Sequence, residues 1–429
     1  MGLRLTTLLL CALLSAPAPA AEVTPYGYPF EDPLEATVIG TPGPFRAELP
    51  EDIPVAVREV RVLTGREIPN IFWYTGNLRY ALSAQPRRAP LAFVLPGTGA
   101  NFDAIKSLIL QQALYQAGFH VVSLPSPLHP NFIVSASASR RPGLLMEDAQ
   151  DVYRLMALIR DSLTDDIGVS EWHLVGYSLG ATYAAFVAKL DDERGTFGFE
   201  KVLLINPPVS PYRSASILDA MFEEHLPTIA DFNALFNQLM MVFSEFYSAA
   251  ADQFVFSDDL VYQLYRRAPP PDRTLEALIG AAFRLSSINL LFTSDVLTDA
   301  GLLVPPEREL SVTDSLTPYF KAASQLSFED YATHILYPYY RQKFPDVSFE
   351  QLVEMDSLRA IESYLRSADK IGLMHNEDDI LLAEGDLGFL RSVFGDRALI
   401  YPRGGHSGNM AYIDNVAALI DFFTGRGSS

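Results

Sequence analysis

Short apolar runs and longer stretches with helical spacing alternate along the chain from about residue 57. The run 91–95 is continuously apolar, which is typical of a strand buried on both faces. Val152, Leu155 and Ile159 recur at the spacing of one helix face. The predicted strands are 57–63, 72–82, 91–95, 119–124, 173–176 and 202–205, and the predicted helices are 103–117, 146–163 and 181–190. This alternation predicts an α/β fold with a mostly parallel central sheet and helices on both faces.

The alternation stops at Asn206-Pro207-Pro208 and resumes near residue 358. The resumed pattern predicts helix 358–366, strand 371–374, helix 387–394, strand 398–401 and helix 410–423. Roughly 150 residues between the two halves are mainly helical in pattern and match a small domain in size. They include two apolar stretches, 232–247 and 275–291. The Ser-Ala-Ser-Ala-Ser run at 135–139 is expected to form an exposed loop.

Composition and charge narrow the class of partner. Of the 429 residues, 49% are hydrophobic and 20% are charged, which is a globular composition. The formal net charge is −20, and a surface this acidic repels phosphate backbones and anionic membrane faces. We therefore expect no nucleic-acid partner, and the sequence carries no indication of an oligomeric state.

The first twenty residues have the pattern of a signal peptide. Arg4 lies near the amino terminus, an apolar run spans 8–14, and Ala18-Pro19-Ala20 supplies a small-x-small cleavage pattern. The apolar run is too short to span a bilayer, and no later stretch predicts a transmembrane segment. The one cysteine, Cys11, lies in this segment, where a lipid anchor is the alternative. We expect a bacterial periplasmic or secreted protein.

The turn Gly176-Tyr177-Ser178-Leu179-Gly180 follows an apolar strand and opens a helix of small residues. A serine on such a strained strand-to-helix turn needs glycines two positions before and after it, because the backbones approach closely. The amino terminus of the following helix favours negative charge at the serine oxygen. The pattern therefore marks Ser178 as a candidate nucleophile, against the alternative of a chance match on a tight turn.

Three further motifs lie in the predicted core. Leu95-Pro96-Gly97-Thr98-Gly99-Ala100-Asn101 follows the strand at 91–95 and precedes a helix. His375-Asn376-Glu377-Asp378-Asp379 ends the strand at 371–374, and Arg403-Gly404-Gly405-His406-Ser407-Gly408 lies between the last strand and the last helix. With the serine turn, these motifs resemble the α/β-hydrolase superfamily over about residues 57–208 and 358–423. The resemblance implies an α/β-hydrolase fold with an inserted, mainly helical cap.

The resemblance also implies a catalytic triad. A serine hydroxyl is a poor nucleophile unless a base takes its proton, and in this superfamily serine, acid and histidine follow in that order along the chain. His406 is the expected base, whereas His375 ends a strand and is expected to be structural. Asp379 is the expected acid, and its neighbour Asp378 is the alternative.

Backbone amides of Leu179 and Thr98 are the implied donors to the oxyanion that forms on attack. The sequence departs from the superfamily pattern at three points. Pro96 replaces a histidine often found before the oxyanion glycine, Asn376 replaces a glycine, and the insertion is large. None of these departures removes a catalytic group.

The predicted organisation places a signal peptide and an arm before a divided core. The segments are a signal peptide at 1–20, an extended arm or flexible leader at 21–56, the first part of the α/β-hydrolase core at 57–208, the helical cap at 209–357 and the second part of the core at 358–429. Apolar residues in the cap are compatible with an apolar acyl group or with the cap's own core.

The motifs favour an exported serine hydrolase that cleaves a carboxylic acyl ester through an acyl-enzyme on Ser178. The expected partner is a small-molecule or lipid-like acyl substrate. A peptidase or acyltransferase of the same fold, and a non-catalytic binding protein, are the alternatives. The pair Gly97-x-Gly99 lacks the third glycine of a dinucleotide site, and no metal-binding spacing is present in the sequence, so no cofactor or metal is expected.

Overall fold

The computed structural model describes residues 26–163, 167–226 and 271–425, together with Thr228, Ala230, Asp231, Ala234, Tyr262 and Arg266. The predicted signal peptide at 1–20, with Cys11, lies outside these residues and stays a prediction. The first residues of the arm and, apart from Ala234, the apolar stretch at 232–247 also lie outside them.

One eight-stranded sheet forms the centre of the protein. Its strands are β1 (Ala56–Val60), β2 (Leu78–Ser83), β3 (Ala89–Leu95), β4 (His120–Ser123), β5 (Val169–Tyr177), β6 (Lys201–Ile205), β7 (Ile371–Asn376) and β8 (Ala398–Tyr401). The strand order is β1-β2-β4-β3-β5-β6-β7-β8. Pairings β1–β2 and β2–β4 are antiparallel and the others are parallel. This mostly parallel order is that of the α/β-hydrolase fold, and the predicted fold class is confirmed.

Helices cover both faces of the sheet. They are α1 (Pro33–Ile39), α2 (Ile105–Gln116), α3 (Pro130–Ser135), α4 (Leu145–Leu163), α5 (Leu179–Arg194), α6 (Pro211–His225), α7 (Asp272–Thr298), α8 (Thr317–Ala323), α9 (Phe328–Tyr331), α10 (Tyr337–Lys343), α11 (Phe349–Met355), α12 (Glu362–Ser367), α13 (Asp386–Phe394) and α14 (Ile413–Thr424). Short 3-10 segments are Gly43–Phe45, Asn70–Thr75, Leu358–Ile361 and Gly395–Arg397, and Ala332–Leu336 is π-helical.

Alternate side chains of β3 divide the core into two layers, because successive residues of a strand point to opposite faces. Leu91, Phe93 and Leu95 join a core cluster with residues of α4, α5 and α13. Ala92 and Val94 join a second cluster with residues of α2 and α14. Strand β3 at the centre of the sheet is therefore buried on both sides, as the continuous apolar run at 91–95 predicted.

Two local predictions were wrong in part. Of the strand predicted at 72–82, only the second half is strand β2, and the residues before it form the 3-10 segment Asn70–Thr75. Phe72 is buried there, and the centre of its ring lies 6.0 Å from that of Phe292. Its apolar side chain therefore packs in the core without belonging to a strand. The Ser/Ala run at 135–139 is an exposed loop only in part, since Ser135 ends α3 and Ser135 and Ser137 are buried, whereas Ala138 is exposed.

Helices α6 to α11 lie between β6 and β7 in the chain, where the inserted cap was predicted. Helices α6 and α7 pack at close range, since a Cβ added to Gly280 would lie 2.5 Å from the Phe222 backbone nitrogen. Their contact buries an ion pair between Arg284 and Asp219, 2.9 Å apart. Among the described helices, α7 is long and apolar enough to cross a membrane, but 61% of its most apolar stretch is buried in the protein, as in the core helix of a globular protein.

Candidate active site

Ser178 lies on the sharp turn between β5 and α5, with backbone angles φ 53° and ψ −132°. These angles are strained for a residue with a side chain, and strain of this kind is common at functional sites. A Cβ added to Gly176 would lie 2.2 Å from the Gly180 carbonyl oxygen, and one added to Gly180 would lie 2.2 Å from the Leu95 carbonyl oxygen. Both glycines are therefore required for the turn to pack against β3.

Exchange of Gly180 for Ala should lower the free energy of unfolding by about 2–4 kcal/mol, because the new methyl group overlaps backbone atoms that cannot move aside. Gly388→Ala in α13 is the matched control, since its added Cβ would meet no atom within 4 Å. That control should be neutral or stabilising by up to about 1 kcal/mol. Urea denaturation of both variants measures the difference, and equal stabilities would contradict the close packing of the turn.

His406 lies in the loop between β8 and α14, and its imidazole reaches Ser178. Its Nε2 is 2.8 Å from Ser178 Oγ. Its Nδ1 is 3.0 Å from each carboxylate oxygen of Asp379. A proton on Nδ1 satisfies the carboxylate and leaves Nε2 free to accept the serine proton. The structure thus brings the three residues predicted for the triad into one hydrogen-bonded line.

Asp379 follows β7 and is buried, with 7% of its surface exposed. Burial alone would raise the pKa of this carboxyl group, but the charge and the hydrogen bond of His406 lower it below its ordinary value. The Leu381 amide also donates to Asp379 Oδ1 at 3.0 Å. Asp379 is therefore held as a carboxylate facing the imidazole.

The two alternatives considered from sequence occupy other positions. Asp378 accepts hydrogen bonds from the backbone amides of Gly404 at 3.1 Å and Gly405 at 2.9 Å, so it fastens the histidine loop. His375 is buried, and burial lowers its pKa. Its ring nitrogens lie near the carbonyl oxygens of Asn376 and Pro207. The geometry is that expected of a structural histidine.

The strand-loop at Gly97 and Thr98 lies beside the nucleophile, where the oxyanion donors were predicted. A Cβ added to Gly97 would lie 3.1 Å from Ser178 Cβ, and Thr98 lines the same cleft as Ser178. Leu179 is the first residue of α5, and amides of a first helical turn have no partner within their helix. Both predicted donor positions therefore border the space next to Ser178 Oγ.

Sequence reasoning missed two asparagines that position the acid and the histidine loop. Asn206, at the end of β6, donates from Nδ2 to Asp379 Oδ2 at 2.9 Å. Asn376 donates from Nδ2 to the Gly405 carbonyl oxygen at 2.8 Å. Asn376 stands where the superfamily pattern has glycine, and its side chain ties β7 to the loop that carries His406.

The described part of the arm also supports the histidine loop. The backbone amide of His406 donates to Thr37 Oγ1 in α1 at 2.8 Å. Thr41 Oγ1 donates to the carbonyl oxygen of Gly408 at 2.9 Å, and a Cβ added to Gly408 would lie 2.0 Å from the Ala36 carbonyl oxygen. The part of the arm around residues 36–41, which includes the end of helix α1, is therefore packed against the histidine loop.

An open cleft of about 390 Å³ leads to Ser178 and His406. Its walls are mostly apolar and come from the core and from helices α6 and α7. The lining includes Ala104, Ile105, Lys106, Leu218, Ile279 and Phe283. In the described ranges, no group of three or more His, Cys, Asp or Glu side chains is placed to hold a metal ion.

No family model and no curated protein matches the sequence. Among solved structures, brefeldin A esterase, a bacterial homologue of human hormone sensitive lipase, is similar at 12% identity over 89% of this chain and 78% of that chain, with a TM-score of 0.42. An esterase of Pyrococcus furiosus is similar at 9% identity over 88% and 98%, with a TM-score of 0.40. A proline iminopeptidase of Mycobacterium smegmatis is similar at 13% identity over 86% and 98%, with a TM-score of 0.38.

Likenesses at this level carry no argument about chemistry. The strand order and the positions of the four motifs on the sheet are those of the α/β-hydrolase fold.

Proposed function

We propose that this protein is a serine hydrolase that cleaves a carboxylic acyl ester through an acyl-enzyme on Ser178. The observation that carries the proposal is the contact of His406 with both partners, Nε2 with Ser178 Oγ and Nδ1 with the Asp379 carboxylate. A serine on a strained turn, an imidazole and a buried carboxylate, hydrogen-bonded in this order, are the groups that nucleophilic catalysis by serine requires.

The mechanism follows from the geometry. His406 Nε2 takes the proton of Ser178 as Oγ attacks the ester carbonyl, and Asp379 stabilises the imidazolium that forms. Amides of Leu179 and Thr98 donate to the oxyanion. The imidazolium then protonates the leaving alcohol, and the acyl group stays on Ser178. Water, deprotonated by His406, attacks the acyl-enzyme and releases the acid.

An ester rather than a peptide is favoured by the walls of the cleft. Leu218, Ile279 and Phe283 present apolar surface next to the catalytic residues, which suits an acyl chain. A peptidase needs donors and acceptors for the substrate backbone, and these side chains supply none.

Mixing the purified protein with p-nitrophenyl esters of two to twelve carbons should release a burst of nitrophenol close to the enzyme concentration, because nitrophenolate is a good leaving group and acylation then outpaces hydrolysis of the acyl-enzyme. Mass spectrometry of the quenched reaction should place the acyl group on the peptide that contains Ser178. Turnover of aminoacyl p-nitroanilides without turnover of esters would indicate a peptidase. Failure to react with esters, anilides and a fluorophosphonate probe would indicate a binding protein.

A further inference from the structure

Lys106 is a cation that lines the cleft, and the mechanism proposed above gives it no role. It is the second residue of α2, and it lines the cleft together with Ser178 and His406. Among the described lining residues it is the one lysine or arginine. The protein as a whole carries a net charge of −20, whereas the lining of this cleft includes a positively charged side chain.

Within the described residues, Lys106 has no carboxylate within ion-pair distance. Its Nζ donates to the backbone carbonyl of His406 at 3.4 Å, which leaves its other N–H donors free. Other lysines of the chain are paired, such as Lys343 with Glu147 and Lys370 with Asp192. An ammonium group in the wall of a cleft with no carboxylate in direct contact is costly unless a ligand supplies the opposite charge.

The start of α2 adds to the positive character of this wall. The residue before the helix is Ala104, which has no side-chain acceptor for the first-turn amides. Ala104 and Ile105 line the cleft beside Lys106. Unpaired amides at a helix amino terminus favour an anion, so two independent features of the same wall attract negative charge.

Resting on the ester hydrolysis proposed above, we propose that the cleft selects esters whose acyl part carries an anionic group, a carboxylate first of all, which pairs with Lys106 Nζ beside the start of α2. The apolar walls from α6 and α7 then contact the methylene groups between the ester carbonyl and the anion. Lys106 is a specificity residue in this assignment and takes no part in proton transfer.

Two p-nitrophenyl esters with five-carbon acyl groups test the assignment, the mono-ester of glutaric acid and the ester of valeric acid. The ratio of kcat/KM for the anionic ester to that for the neutral ester should exceed about tenfold in the native protein. Lys106→Met should lower this ratio by about tenfold or more, and Lys106→Arg should retain most of it. Lys321→Met removes an exposed lysine of α8 outside the cleft, and should leave the ratio unchanged.

The pH dependence of the same ratio separates recognition from support of the histidine loop. Burial lowers the pKa of Lys106 to about 8, although the Asp379 carboxylate opposes the shift. The ratio should therefore fall between about pH 7 and 9.5 as the ammonium loses its proton. Both esters use the same catalytic residues, so changes in the acyl-transfer steps cancel in the ratio, and Asp379 and the glutarate carboxylate stay ionised over this range. In Lys106→Met the ratio should not change with pH.

Three outcomes would overturn the inference. The native protein could hydrolyse the valerate ester without preferring the glutarate ester, which leaves the proposed function standing. Lys106→Met could slow both esters equally, which would make Lys106 a support of His406 through its carbonyl. No turnover of either ester would contradict the proposed function and the inference with it.

Discussion

Exchange of Ser178 for Ala should lower kcat for p-nitrophenyl ester hydrolysis by about 10⁴- to 10⁶-fold, which is the loss of covalent catalysis. The residual rate would come from the oxyanion amides and from substrate binding, which the exchange leaves in place. His406→Ala should lower kcat by a similar factor, because Ser178 keeps its proton when the base is absent. The double variant should be no slower than either single variant by more than about tenfold, since the two residues act as one unit.

Ser216→Ala is the control for the serine exchange. Ser216 lies on α6 and donates to its own helix at the Tyr212 carbonyl oxygen, so its removal should change kcat by less than about twofold. Fluorophosphonate labelling provides a second measurement, and it should be lost in Ser178→Ala and kept in Ser216→Ala. Labelling of Ser178→Ala at the native rate would place the nucleophile elsewhere.

The nucleophile turn could be predicted from sequence because its requirements are local. Glycine is required at 176 and 180 because a Cβ added at either position would lie 2.2 Å from a backbone oxygen, and the strand and helix that flank them have their own apolar patterns. The order of strands along the chain was predictable for the same reason, since each strand of a parallel sheet carries its own continuous apolar run.

The supports of the triad could not be predicted, because they are long-range contacts of ordinary polar residues. Asn206 reaches Asp379 across 173 residues of sequence, and Thr37 reaches the His406 amide across 369 residues. The sequence around an asparagine or a threonine does not indicate which distant residue its side chain will contact. The first half of the strand predicted at 72–82 was wrong for a related reason, since Phe72 packs on Phe292 of α7 and does not join the sheet.

These supports converge on the two loops that carry the acid and the base. Asp378 and Asn376 hold the loop of His406 from β7, and α1 holds the same loop from the opposite end of the chain. An imidazole must stay aligned with two partners at once, and a shift of about 1 Å is enough to lose much of the rate. In the proposed hydrolase, the arm and Asn376 would therefore act on catalysis through the position of His406, and Asn206 through that of Asp379.

Asp379→Asn should lower kcat/KM for esters by about 10²- to 10⁴-fold with little change in stability. Asp379 accepts from His406, from Asn206 and from the Leu381 amide, and an amide group cannot accept from all of them. An NH₂ group turned toward His406 would force the imidazole proton onto Nε2, where it blocks transfer from Ser178.

Asp378→Asn is the matched exchange one residue away. Its amide oxygen could still accept from one of the Gly404 and Gly405 amides that Asp378 now receives, so the loop would lose about one hydrogen bond. We expect kcat/KM to fall by about tenfold or less. Parallel kinetics of the two variants, with thermal unfolding as the check on folding, measure the contrast. A larger loss in Asp378→Asn than in Asp379→Asn would reverse the assignment of the acid, because the residue that sets the imidazole tautomer must be the more costly one to neutralise.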